Sequence, residues 1–402
     1  MDPIYLDHAA TTPVRDEVVT AMAPYMSQVF ANPSSLHGPG RAAQAALEKA
    51  REDVADAIGA RRAEVRFVRG GTESDNLAVL GSCRARRARY GKPPQLFVSS
   101  VEHSAVLEAA EHAEASGDAR LTVLSVSPHG ELDLEPLRGL DRTAPAGARS
   151  DSGSGNPPPI VSVMWVNNET GLILPVDDVV DAAAARAATV HTDASQALGK
   201  VPVDVSATGV DLLTATGHKI RGPRGTGLLC VREGLDLTPL LFGGGQERSL
   251  RPGTEDVAGA VGLAAAVRLA VTEQASAAAA MEALRRRLEE GLLGRIDGIR
   301  INGGSAPRAA HVSSVGIPGI SDGQTLLMAL DMEGLAVSGG SACHSGVDKG
   351  SHVIEALYGG DDDLATVRYS FGASTTAAEI DRAIAVTVAV AGRLRTSAED
   401  AA

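Results

Sequence analysis

Short apolar runs punctuate the middle of the chain: VRFV, QLFVSS, LTVLSV, IVSVMWV, TVHTDA, DLLTAT and GLLCVR, each four to seven residues long. Runs this short, rich in Val, Leu and Ile, predict strands, and the longer segments between them predict helical crossovers. Together they predict a mostly parallel sheet covered by helices on both faces. A different period appears in RAAQAALEKAREDVADAIG, where Leu47, Ala50, Val54 and Ile58 recur at helical spacing and Gly59 supplies a stop. Helical patterns also cover Asp16 to Met26 and the Ala-, Glu- and Arg-rich stretch from Val261 to Leu292.

This order predicts an α/β fold with a large, mostly parallel-sheet domain over residues 16–260, preceded by an extended arm over residues 1–15. After the long helix come RING, HVSSVGI, a helix from Gln324 to Met332, LAVSGG, a helix after Ser351, TVRYSFG and a terminal helix from Ala377 to Leu394. That mixture predicts a smaller α+β domain over residues 261–402, packed on the first. The low-complexity segment APAGARSDSGSGNPPP, residues 144–159, fits neither rhythm and reads as an exposed excursion without chemistry.

Composition narrows the class. With 402 residues, 44% of them apolar, the chain can bury a large core. A net charge of −13 argues against nucleic acid or an anionic membrane surface as the main partner. The start, MDPIYLDHAATT, lacks the basic and apolar regions of a secretory signal, and no stretch reads as long and apolar enough to span a bilayer, so a cytoplasmic protein is expected. Three scattered cysteines give neither a disulfide framework nor a metal knuckle, and no metal is expected. Cys83 and Cys230 lie in apolar or helical surroundings, whereas Cys343 lies in the polar loop VSGGSACHSG, which packing does not explain.

Several strand ends carry chemistry. In RGGTESDN, Gly71 and Thr72 offer backbone approach and a hydroxyl to an anion, although the same segment reads equally as a glycine turn with a helix cap. His103 follows QLFVSS, where a planar imidazole suits ring stacking or proton transfer; ordinary packing is the alternative. Asn168 follows IVSVMWV, either as an amide facing a ligand or as part of an Asx turn. Asp193, with Gln196 behind it, follows TVH, and Lys219 follows DLLTAT in TATGHKIRGP. An amine that condenses with an aldehyde, beside a carboxylate that keeps a pyridine nitrogen protonated, is the pairing that pyridoxal 5'-phosphate requires.

The ordered set YLDHAATT, NPSSLHGPG, GGTESDN, VEHSAV, VNNETG, HTDASQ, TGHKIRGPRGTG, GGGQERSLRPGT, GGSAC and VRYSFG spans nearly the whole chain and resembles the cysteine desulfurase family, within the class V aminotransferase group. The resemblance implies the fold type I architecture of pyridoxal-phosphate-dependent transferases. By it, Lys219 is the Schiff-base lysine, His103 stacks on the cofactor and transfers protons, and Asp193 pairs with the ring nitrogen. Asn168 and Gln196 correspond to residues near the ring and its phenolic oxygen, and Gly71, Thr72, Thr216 and His218 to the phosphate pocket. Thr254 is expected to reach across from the partner subunit of a homodimer with shared active sites. Arg368 resembles the arginine that receives the substrate carboxylate, with Asn32 as its neighbour.

GGSACHSG resembles the longer cysteine loop of the family's group I branch, which implies that L-cysteine is converted to L-alanine with the sulfur held as a persulfide on Cys343. The implied acceptor is a protein of iron–sulfur cluster assembly or of tRNA thiolation. Departures from the usual pattern are small: Thr216 stands for serine, RPGT for RSGT, and Trp165 where some members carry histidine. A selenocysteine lyase or a plain aminotransferase would share this machinery, the latter without needing Cys343.

Overall fold

The computed structural model describes residues 3–140, 156–320, 322–339, 350–360 and 364–399. The first half runs β1 (Ile4–Tyr5), α1 (Asp16–Ser27), α2 (Gly38–Ile58), β2 (Val65–Val68), α3 (Gly71–Tyr90), β3 (Gln95–Ser99), α4 (Ser104–Ala115), β4 (Arg120–Leu124) and α5 (Glu135–Arg138). It continues through β5 (Ile160–Ser162), α6 (Val176–Ala184), β6 (Thr189–Asp193), α7 (Val205–Thr208), β7 (Leu212–Thr216) and β8 (Gly227–Val231). The remainder is α8 (Val257–Leu293), β9 (Arg300–Ile301), β10 (Val312–Pro318), α9 (Gly323–Met332), β11 (Leu335–Ala336), α10 (His352–Tyr358), β12 (Leu364–Ser370) and α11 (Ala377–Glu399).

A seven-stranded sheet in the order β2-β8-β7-β6-β5-β3-β4 organises the first unit. The five strands β7, β6, β5, β3 and β4 are parallel, while β8 runs antiparallel to both of its neighbours. Strands β5, β6, β7 and β8 are buried at every position, which explains their continuous apolar or small-residue runs. The predicted strand IVSVMWV pairs regularly only as far as Ser162. Beyond it Val163 and Trp165 donate to the carbonyls of His191 and Asp193, so the chain still follows β6 while turning toward the strand ends.

The second unit carries the antiparallel sheet β12-β10-β9. The amino-terminal arm is not a loose extension: Ile4 and Tyr5 pair in parallel with Leu335 and Ala336, and Ile4 and Leu6 are buried in the second core. Helix α8 joins the two units. Leu263, Ala266 and Val267 enter the first core, whereas Met281, Leu288 and Leu292 enter the second. Contrary to the expectation from sequence, α8 is long and apolar enough to cross a bilayer by length and composition. Its burial in both cores makes it a core helix instead.

Candidate functional site

The carboxyl ends of the parallel strands open into a cavity of about 330 Å³, where an open α/β sheet places its ligands. Its wall brings together Gly71, Thr72, His103, Asn168, Asp193, Gln196, Thr216, His218, Lys219 and Arg368. These positions are spread over the ends of β2, β3, β5, β6 and β7 of the large sheet and over β12 of the small one, so the order of the large sheet and the packing of the second unit on it assemble them together.

Lys219 closes a single 3₁₀ turn after β7, and its Nζ donates to the carbonyls of Ala9 (2.5 Å) and Ala10 (2.8 Å) in the arm. The arm is bound to the same turn from below, because Thr12 Oγ1 donates to the His218 carbonyl and accepts from the Arg221 amide. Asp193 is the last residue of β6, and one of its oxygens accepts from the Ser195 amide at 2.8 Å. His103 caps α4: its Nδ1 accepts from the Ala105 amide at 3.1 Å, so the neutral ring carries its proton on Nε2. Burial lowers its pKa against the opposing pull of Asp193, and favours that neutral form.

At the opposite end, Gly70 with φ of 129° turns the chain from β2 into α3, and Gly71 opens the helix beside Thr72. A Cβ on Gly71 would lie 3.3 Å from Ser195 Oγ, itself buried without a hydrogen-bond partner among the described residues. Thr216 Oγ1 donates to the Thr226 carbonyl, and His218 is kept neutral, its pKa lowered to about 4 by burial and by Lys219. Small residues, hydroxyls and the free N–H groups of a helix start are groups that can hold an anion.

Arg368 lies on β12 with a 3% exposed side chain; its Nη2 donates to Asp7 at 2.7 Å and its Nη1 to the Asn168 carbonyl at 2.9 Å. Among the described residues its Nε and the side-chain oxygen of Asn168 are buried without partners. A guanidinium fixed on two sides in this way can accept a carboxylate at Nε. Gln196 is held by both ends of its amide, donating to the Ala9 carbonyl and meeting His311 Nε2 at 3.0 Å.

Residues 4–383 match the class-V aminotransferase family. An IscS-like cysteine desulfurase of Mycobacterium tuberculosis is 40% identical over 99% of this chain and 98% of its own. The chain belongs to the cysteine desulfurase group of that family. Among solved structures, a NifS-like protein superposes with a TM-score of 0.84 at 33% identity, covering 98% of this chain and 100% of its own. SspA in complex with cysteine superposes with a TM-score of 0.76 at 30% identity, covering 91% and 98%. Membership of the class-V aminotransferases implies a pyridoxal phosphate cofactor.

Three of the residues expected at the desulfurase site lie elsewhere or beyond view. Asn32 is exposed and closes an Asx turn with the Ser34 amide; Thr254 is exposed; neither lines the cavity of its own chain. Cys343 lies outside the described residues. The cavity also includes Asp75, Met164, Glu169, Ser195 and His352, which the sequence reading did not single out. Of these Asp75 is the most telling: it is 1% exposed, and its pKa is raised well above the ordinary range by burial and then by Asp193. Its position in GGTESDN, one helical turn from Gly71, was the available signal.

Proposed function

We propose that this pyridoxal-phosphate-dependent cysteine desulfurase performs its reaction in the cavity at the strand ends, with Lys219, His103 and Cys343 as its catalytic residues. The convergence of Lys219, Asp193, His103 and the unsatisfied Arg368 Nε on one cavity carries the reading. When bound, the cofactor supplies an aldehyde for an amine and a protonated ring that withdraws electrons from the substrate's α-carbon. The orphaned Ser195 hydroxyl and the Gly71 cradle fit its phosphate, with Thr72, Thr216 and His218 beside them. Asp193 would hold the ring nitrogen's proton, His103 would cover the ring, and Asn168 and Gln196 would border it. Lys219 moves a proton at the substrate α-carbon, and Arg368 orients the substrate by its carboxylate, with Asn32 nearby.

Sulfur transfer needs a thiolate. Cys83 and Cys230 are buried, and burial pushes both thiols up to about 12, so neither serves as the nucleophile. That leaves Cys343. In the transfer the carbon–sulfur bond of cysteine breaks, a sulfur–sulfur bond forms on Cys343, and the carbon gains a proton to give alanine. The persulfide then passes to an acceptor protein, of iron–sulfur assembly or tRNA thiolation, in the cytoplasm. Residues 16–260 supply the cofactor site, and residues 261–402 with the arm supply Arg368 and Cys343. Thr254 enters from a second copy, so the active unit is a homodimer with shared sites.

The test is conversion of L-cysteine by the purified holoenzyme, with alanine and sulfide measured together. Lys219→Ala is expected to abolish both products and the borohydride-sensitive absorbance, and Cys343→Ala to retain that absorbance but lose persulfide and most alanine. Undiminished turnover by Cys343→Ala would refute its role. Keto-acid-dependent amino exchange in place of alanine formation would identify an aminotransferase, and a strong preference for selenocysteine a lyase of that substrate.

A further inference from the structure

A second cavity, of about 310 Å³, lies behind the turn that carries Lys219, between the arm, α8 and the chain just before α11. Its apolar lining includes Ala277, Met281 and Leu284 of α8 together with Phe371. Lys200 and Arg221 line the same cavity. Neither cation has a carboxylate within ion-pair distance among the described residues. The single acid lining the cavity, Glu273, is taken through both oxygens by Arg15, at 2.7 and 3.0 Å. Lys200 Nζ donates to the Lys219 carbonyl at 3.2 Å, which leaves donors of its ammonium without a protein acceptor. His8, 7% exposed, also lines the cavity, and its Nδ1 has no hydrogen-bond partner among the described residues.

A largely enclosed ammonium beside a guanidinium, neither in a direct ion pair among the described residues, is an arrangement that an anion relieves. The apolar side chains in the same lining favour an anion that carries hydrocarbon. We propose that this cavity is a binding site for a small amphiphilic monocarboxylate, its carboxylate between Lys200 and Arg221 and its hydrocarbon against α8. Its volume is about twice the roughly 150 Å³ of an apolar cavity that accepts benzene, which leaves room for a headgroup and a tail of about six carbons. Burial and the charge of Arg221 lower the Lys200 pKa to about 8, so the ammonium is largely retained near neutrality.

The site goes beyond the desulfurase reading and does not depend on it. Titration calorimetry of sodium hexanoate into the holoenzyme is expected to show one saturable site per chain. Lys200→Gln should weaken binding about tenfold or more through loss of a charge-assisted contact. Ala280→Leu, at an exposed position on the rim, fills the cavity without burdening the core and should also weaken it at least tenfold. Hexanol and inorganic phosphate, each lacking half of the required chemistry, should bind at least tenfold more weakly. Absence of saturable hexanoate binding, unchanged binding in Ala280→Leu, phosphate binding as tight as hexanoate, or displacement of hexanoate by cysteine would each overturn the proposal. The last outcome would place hexanoate at Arg368 and leave the desulfurase reading intact.

Discussion

In the proposed reaction His103 serves two purposes, as a helix cap and as a proton carrier, and they separate experimentally. Nδ1 caps α4, while the ring faces the cavity. His103→Asn keeps an N-cap acceptor and is expected to fold within about 0.5 kcal/mol of the parent, yet lose roughly 100-fold or more in turnover. His103→Ala should lose a further 1 kcal/mol or so of stability with the cap. Denaturant titration and alanine production measure the two effects. Glu102, next in sequence, makes a pH prediction. It is fully buried, accepts from the Met164 amide and Ser99 Oγ, and burial raises its pKa to about 8. The folded state therefore retains a proton that the unfolded chain releases near the ordinary carboxyl value of 4.5. Its contribution is full below 4.5 and is lost as the pH rises toward 8. Glu102→Gln should flatten the pH dependence of unfolding free energy over that window; an unchanged slope would show that Glu102 is ionised in the fold. Lys219, Asp193 and His103 were legible as cavity residues because each ends or follows a recognisable strand. Ala9 and Ala10 contribute only their carbonyls, and no side-chain pattern announces that.

At the scale of elements, the anion cradle depends on how closely β8 approaches the turn after β2. A Cβ on Gly227 would stand 2.8 Å from the backbone of Gly70 and 3.0 Å from the Ala215 carbonyl. Backbone on both sides cannot move aside as a flexible side chain would. Gly227→Ala should therefore destabilise the protein by about 1–3 kcal/mol and displace Gly70 and Gly71, weakening cofactor retention. Thermal unfolding and cofactor content after dialysis test this; full retention of both would show that β8 can shift without disturbing the cradle. Such a contact is invisible in a sequence, since Gly227 reads there as the small first residue of a strand. The strands themselves were legible because burial on both faces imposes apolar runs, and the helix α2 because one buried face imposes a period. What the pattern could not supply was partnership at long range: β8 antiparallel between β2 and β7, the arm pairing with β11, and α8 shared between two cores. Each of these rests on contacts between residues far apart in sequence, which local periodicity does not encode.

The whole molecule leaves a group of large apolar side chains uncovered. Met26 (72% exposed) lies in the last turn of α1, Phe30 (79%) and Leu36 (89%) lie between α1 and α2, and Leu241 and Phe242 (84%) lie in the segment leading to Thr254. Exposed aromatic and aliphatic residues in such number are the surface that the proposed homodimer would cover. Asn32 and Thr254, the two expected site residues absent from the cavity of their own chain, belong to these same two segments. If Thr254 reaches the phosphate cradle of a second copy, every complete site combines Lys219 of one chain with Thr254 of the other. A chain carrying Lys219→Ala and a chain carrying Thr254→Asp should each be inactive alone, the first without its amine and the second with a carboxylate beside a phosphate. Unfolded and refolded together in equal amounts, half of the dimers are mixed, and one of the two sites in each mixed dimer is intact. About a quarter of the parent activity should return. If Thr254 acts only within its own chain, no mixed dimer contains an intact site and nothing returns. Sedimentation equilibrium on the same samples confirms that dimers formed, so a silent mixture would count against the shared site itself.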